Sequence, residues 1–124
     1  MKVIISFSEK EVEAELFDSD ITIQKLKTEL PFGNRAHVTK GEMYVSLPIV
    51  GESGEETSEV NAGDICYWEE ANALLIIIGR TKLSTDETPK VVDPVTIIGK
   101  IVGDVNHLKS IEHRDKIVVR ILEE

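Results

Sequence analysis

Six side chains between residues 42 and 84 carry groups able to grip a ligand: Glu42, Tyr44, Trp68, Arg80, Thr81 and Ser84. Tyr44 and Trp68 offer flat apolar faces that each end in a polar handle. Glu42 lies two residues before Tyr44, the spacing that puts both on one face of a strand. Arg80 can hold a carboxylate in a two-pronged grip. Thr81 and Ser84 open a long polar stretch, and long loops on a rigid scaffold often carry binding function. Each has a plainer reading too. Tyr44 can cover the scaffold beneath a loop, and Arg80 can pair with surface acids.

Other chemistries find little support. His37, His107 and His113 lack ligand spacing and Cys66 stands alone, so neither a metal nor a cofactor is expected. Cys66 has no neighbour in sequence that would mark it as a nucleophile. Glu52, Glu55, Glu56 and Glu59 crowd one loop without the pattern of a calcium-binding hand, and read as a solvated surface. There is no glycine-rich phosphate loop. No residue pattern assigns a catalytic group.

The residues that must position these groups read mostly as strands. Lys2 to Phe7 places Val3, Ile5 and Phe7 on one face. Ser8-Glu9-Lys10 turns the chain, and Glu11 to Phe17 alternates again, predicting a hairpin. A helix follows, with Asp20 or Thr22 as its N-cap. Ile23, Leu26 and Leu30 form its apolar stripe and Pro31 ends it. Phe32 to Gly41 reads as a loop or irregular strand. Gly41 to Ile49 is a strand that turns Met43, Val45 and Leu47 one way and Glu42, Tyr44 and Ser46 the other. Val50 to Gly63 reads as a loop.

Ile65 to Trp68 is a strand with Tyr67 on one face and Cys66 and Trp68 on the other. Free cysteine is usually buried, which sets Trp68 inside or under a loop. Ala73 to Ile78 is apolar on both faces and predicts a doubly covered central strand. Thr81 to Asp93 is the long loop. Val95 to Val102 is a strand in which Gly99 marks a bulge or a close approach. A short helix around Val105 to Ile111 and a strand from Lys116 to Leu122 follow, and Glu123-Glu124 reads as a polar tail. About eight strands joined mainly by turns must hide their edges. The expectation is a mainly β, closed barrel of one domain, residues 1–124, with two short helices.

Composition agrees. With 124 residues, 41% hydrophobic and 30% charged, the chain can bury a continuous core. No segment approaches a membrane helix, and the N-terminus lacks a signal pattern. One cysteine excludes an internal disulfide. These features favour the cytoplasm. Fourteen basic against 23 acidic residues give a net charge of −9, which argues against nucleic acid and membrane surfaces as partners.

The run Ile98-Gly99-Lys100-Ile101-Val102-Gly103, followed by Leu108 and Ile111, resembles the closing strand and helix of cyclophilins. A closer likeness is to a small prokaryotic cyclophilin-like family of unassigned function. It rests on the helix ending at Pro31, on Gly41-Glu42-x-Tyr44 with Pro48, on Gly63-Asp64-Ile65-x-Tyr67-Trp68, and on the apolar strand ending Gly79-x-Thr81. The likeness spans roughly residues 1–122. Trp68 is followed by Glu69-Glu70-Ala71 where the family commonly has Pro-Pro-Gly, and Lys82 stands where a Pro often follows the threonine.

The resemblance implies a cyclophilin-like barrel and raises prolyl isomerisation as an activity. An active cyclophilin carries an arginine followed by Pro, Phe and Gln along one strand, to twist an amide whose rotation barrier is about 18–20 kcal/mol. Arg35 is the nearest match, and no Pro-x-Phe-x-x-Gln follows it. The Trp and His that usually precede the last Phe-Gly strand are missing from Asp86 to Val95. The leading expectation is therefore a non-catalytic module binding a peptide or small molecule in an outer groove near Tyr44, Trp68 and the Arg80 to Ser84 loop. A divergent isomerase using Arg35 or Arg80 is the second. The third, by analogy of fold alone, is a barrel subunit of a larger amidohydrolase- or carboxylase-type enzyme. Self-association into a homo-oligomer is left open.

Overall fold

A computed structural model describes residues 1–122; the tail Glu123-Glu124 lies outside them. The alternating segments form strands as their patterns require. In β1 (Lys2–Phe7) and β2 (Lys10–Leu16), Val3, Ile5, Phe7, Val12, Ala14 and Leu16 are all buried. Ser8 takes a positive φ of 50° in the turn that joins them. The helix α1 spans Ile21–Lys27 and is capped by Asp20, whose carboxylate accepts from the Ile23 N–H at 3.1 Å. Thr22 is buried and instead bonds the backbone of Glu52. The helix stops before Leu30, so Pro31 follows it rather than ending it.

Residues 32–39 are more regular than the sequence suggests. They form β3 (Phe32–Arg35) and β4 (His37–Thr39), separated by Ala36. Next come β5 (Glu42–Ser46) and β6 (Glu56–Thr57), the latter a two-residue strand inside the expected loop. The remaining strands are β7 (Asp64–Trp68), β8 (Ala73–Ile77), β9 (Val95–Val102) and β10 (Lys116–Ile121). The expected second helix is a 3-10 turn, Val105–Ser110, before β10.

The strands make one antiparallel sheet in the order β3-β10-β1-β2-β9-β7-β8-β5-β4, with β6 attached to β9. The expected closed barrel differs in one respect. Among the described residues, no ladder of hydrogen bonds joins the end strands β3 and β4 to each other. The chain itself passes from one end of the sheet to the other through Ala36. The buried Ala36 N–H donates to the Asp115 carbonyl, and the Ala36 carbonyl accepts from Arg114 N–H, both at 2.8 Å. Asn34 reaches from β3 to the Ser46 carbonyl at 3.4 Å.

Gly99 serves both expected purposes. A Cβ there would lie 2.5 Å from the Glu15 carbonyl oxygen, and the register between β7 and β9 slips beside it, with Ile65 opposite Gly99 but Cys66 opposite Ile97. A side chain would push β9 off β2, so glycine is required.

The apolar residues divide into two clusters. The larger lies on the inner face of the sheet and includes Ile5, Phe7, Met43, Tyr67, Leu74, Ile76, Ile98 and Leu108. The smaller lies on the outer face, around Cys66, Leu75, Ile77 and Val95, with Val60. Strand β8 feeds both, and all five of its residues are buried.

Candidate functional site

Period-two alternation decides which groups reach the outer face. Met43 and Val45 of β5 point inward, so Glu42 and Tyr44 point outward. In β7, Tyr67 enters the inner core and its hydroxyl donates to Asn72 at 2.7 Å. Cys66 and Trp68 therefore face outward, and Trp68 packs beneath the loop rather than inside the sheet.

The loop Thr81 to Asp93 lies over this face as a strap. Trp68 Nε1 donates to Asp93 Oδ2 at 3.0 Å, and Val91 packs against the outer cluster. The neck of the strap is tied by Thr81. Its hydroxyl donates to the Lys90 carbonyl at 2.6 Å, and its N–H donates to Ser84 Oγ at 3.0 Å. Thr81 is buried. The two hydroxyl groups named from the sequence thus bond within the strap.

Trp68 and Glu42 border a cavity beneath the strap, together with Leu75, Val91, Val92, Asp93 and Val95. Its volume is about 10 Å³, roughly the space of one water molecule. Glu42 is half-buried, and burial raises its carboxyl above the ordinary value, partly offset by the Thr39 hydroxyl that donates at 3.4 Å. Burial also pushes the Cys66 thiol up to about 12, helped by the negative charges of Asp64 and Glu42. At neutral pH that thiol is protonated and inert.

Beside the cavity runs a row of rings. Tyr44 stacks on His37, its cross-strand partner in β4, with centroids 4.6 Å apart and planes 8° from parallel. Trp68 meets Tyr44 edge-on at 5.1 Å, and His113 meets His37 at 5.7 Å. His113 Nδ1 also accepts from the Val38 N–H at 3.1 Å. Residues 32–41 read from sequence as a loop or an irregular strand, and neither reading sets His37 opposite Tyr44.

Arg80 lies elsewhere. It borders an open groove of about 490 Å³ between the β4–β5 turn, the end of β8 and the 3-10 helix. Val38, Ile78, Leu108 and Ile111 supply apolar walls, and Lys109 joins Arg80 as a second cation. Gly41 shapes the entrance. Its φ is +76°, and a Cβ would come within 1.9 Å of the Arg80 carbonyl oxygen. The Gly41 carbonyl accepts from both Ile78 and Gly79 N–H groups, which fixes the backbone leading to Arg80. The six predicted residues are therefore split. Glu42, Tyr44 and Trp68 share the outer face, Thr81 and Ser84 bond to each other in the strap, and Arg80 belongs to the groove.

A second depression of about 460 Å³ lies between Phe17, Asp20, Gly54 and Thr96. Its charged lining residues are Asp20 and Glu55, and Asp20 is already occupied as the helix cap. Arg35, the residue nearest to an isomerase arginine, is exposed at the end of β3 and donates to the Arg114 carbonyl at 3.2 Å.

Comparison with known proteins matches this geometry at the level of fold. A hypothetical protein of Archaeoglobus fulgidus, solved in solution, superposes with a TM-score of 0.81 at 27% identity, covering 98% of this chain and 95% of that one. McbB, solved in complex with tryptophan, superposes with a TM-score of 0.72 at 14% identity. That match covers 98% of this chain and 45% of McbB, so the present chain spans less than half of that protein. No curated protein matches the chain in sequence. The family model described as Cyclophilin-like matches residues 1–120, and the chain belongs to this cyclophilin-like family.

Proposed function

We propose that residues 1–124 form a single-domain, cytoplasmic binding module for a small molecule or short peptide, without prolyl isomerase activity. The observation that carries this reading is the groove beside Arg80. Its volume of about 490 Å³ lies within the range of small-molecule sites, and it combines apolar walls with a few polar groups. The ring row of His37, Tyr44 and Trp68 adjoins it through β4, since Val38 borders the groove while His37 stacks on Tyr44. The complex of McbB with tryptophan supports the small-molecule side of the reading. Against an isomerase stands the engagement of Arg35 with a backbone carbonyl.

The test is a titration of isotope-labelled protein with a metabolite set and short peptides, one of them containing Ala-Pro. Shifts of the Val38, Ile78, Gly79 and Arg80 amides are expected. Shifts confined to other faces would reject the groove. Protein-dependent exchange between cis and trans peaks of the Ala-Pro peptide would reject the non-catalytic reading.

A further inference from the structure

The groove is lined by two cations and one carboxylate, against the acidic balance of the whole chain. The protein carries a net charge of −9, yet the groove sets Arg80 and Lys109 around apolar walls built by Ile78, Leu108 and Ile111. Those three side chains are at most 8% exposed, so the walls are fixed by the core. Arg80 is anchored from behind, because Gly41 holds the preceding backbone through two hydrogen bonds.

One carboxylate borders the groove, that of Glu87 on the strap. Its Oε1 lies 3.8 Å from Arg80 Nη1, an ion pair without a hydrogen bond, and its side chain is 93% exposed. Such a contact contributes little and is readily exchanged. A free carboxylate attached to an apolar body would do better on both counts. It would take the planar, two-pronged geometry that a guanidinium offers, while its body would cover the apolar walls.

We propose that the groove binds a monocarboxylate with a compact apolar body, and that Glu87 of the strap occupies the same cation in the empty protein. This rests on the groove being the binding site. Ligand carboxylate replaces Glu87 on Arg80, and the strap residue swings into water at little cost. The acidic surface elsewhere keeps such anions from binding indiscriminately.

The test uses 3-phenylpropionate and its neutral counterpart 3-phenylpropanamide, titrated into labelled protein at pH 7. Both should shift the amides of Ile78, Gly79, Arg80 and Leu108, with the carboxylate binding about tenfold tighter, the scale of one charge-assisted pair. Arg80→Gln should erase that preference and leave the amide unchanged. Glu87→Gln should tighten the carboxylate about threefold, again without effect on the amide. Equal binding of the two compounds at these residues would overturn the carboxylate inference while leaving the groove as a site. Shifts from neither would overturn both. An unchanged carboxylate affinity in Glu87→Gln would overturn the self-occupancy.

Discussion

Strand β8 separates two kinds of interior, and they are built differently. On its inner side, Leu74 and Ile76 meet residues of the other strands, whose positions are fixed by ladders. On its outer side, Leu75 and Ile77 meet Tyr44, Trp68 and Val91, and part of that cover is an irregular strap. The strap is held by a few side-chain bonds, chiefly Trp68 to Asp93 and Thr81 to Lys90. Two carboxylates, Glu42 and Asp93, border the cavity in this second interior. The comparison teaches that burial alone does not define a rigid core. A side chain covered by a sheet and one covered by a strap can be equally hidden and yet differ in how well their surroundings adapt.

Truncation on the two faces gives the largest test. Ile76 is fully buried and Leu75 is 4% exposed. Ile76→Ala should cost about 4 kcal/mol, because the ladders prevent collapse around the cavity. Leu75→Ala should cost about 2 kcal/mol, because the strap can settle into the space. Urea denaturation of both variants measures the difference, and equal losses would show the strap to be as stiff as the sheet.

The strap's latch is a smaller matter. Asp93→Ala should cost about 1 kcal/mol, the net value of one hydrogen bond. Combined with Trp68→Phe, it should cost less than the sum of the two single changes, since they share that bond. Strict additivity in denaturation would show that the indole and carboxylate do not act together.

The smallest effect concerns Glu42. Burial raises its folded-state value above the ordinary 4.5. The native state thus holds this proton more tightly than the unfolded chain does. Stability attributable to Glu42 should fall as pH rises from about 4.5 through the raised value, and then level off. Glu42→Gln should therefore be more stable than the parent at pH 7, with the gain vanishing at pH below this window. A parent and variant with parallel stability curves from pH 4 to 8 would place Glu42 in water.

Much of the fold was legible because one face of each long strand is buried. The alternation of Val3, Ile5 and Phe7, or of Met43 and Val45, is a direct imprint of the inner core. Phe32-Gly33-Asn34-Arg35 has no such imprint, because three of its four residues are exposed and its regularity comes from pairing with β10. The strand Glu56–Thr57 is short and polar, and only its partner Val95-Thr96 reveals it. The site divides in the same way. That Glu42 and Tyr44 face outward followed from spacing. That Thr81 and Ser84 bond within the strap did not, because hydroxyl groups look alike whether they meet a ligand or the chain. Val91 and Asp93 sit inside a polar run and carry no periodic pattern to mark the segment that folds back onto Trp68. The Arg80 groove depends on the 3-10 helix and the β4–β5 turn meeting, which no local pattern encodes.

The order of strands has a consequence for synthesis. Strand β1, made well before β10, is hydrogen-bonded to it on one side, with Ile4 opposite Arg120. The same late strand also pairs with β3, with Gly33 opposite Val118. While the ribosome is adding the residues between them, both early strands present an unmatched row of backbone donors and acceptors. A nascent chain in this condition is at its most vulnerable to joining another chain. The emergence of a single segment, Lys116–Ile121, covers both exposed rows at once. Nascent chains stalled before that segment should therefore recruit chaperones, and chains stalled beyond it should not.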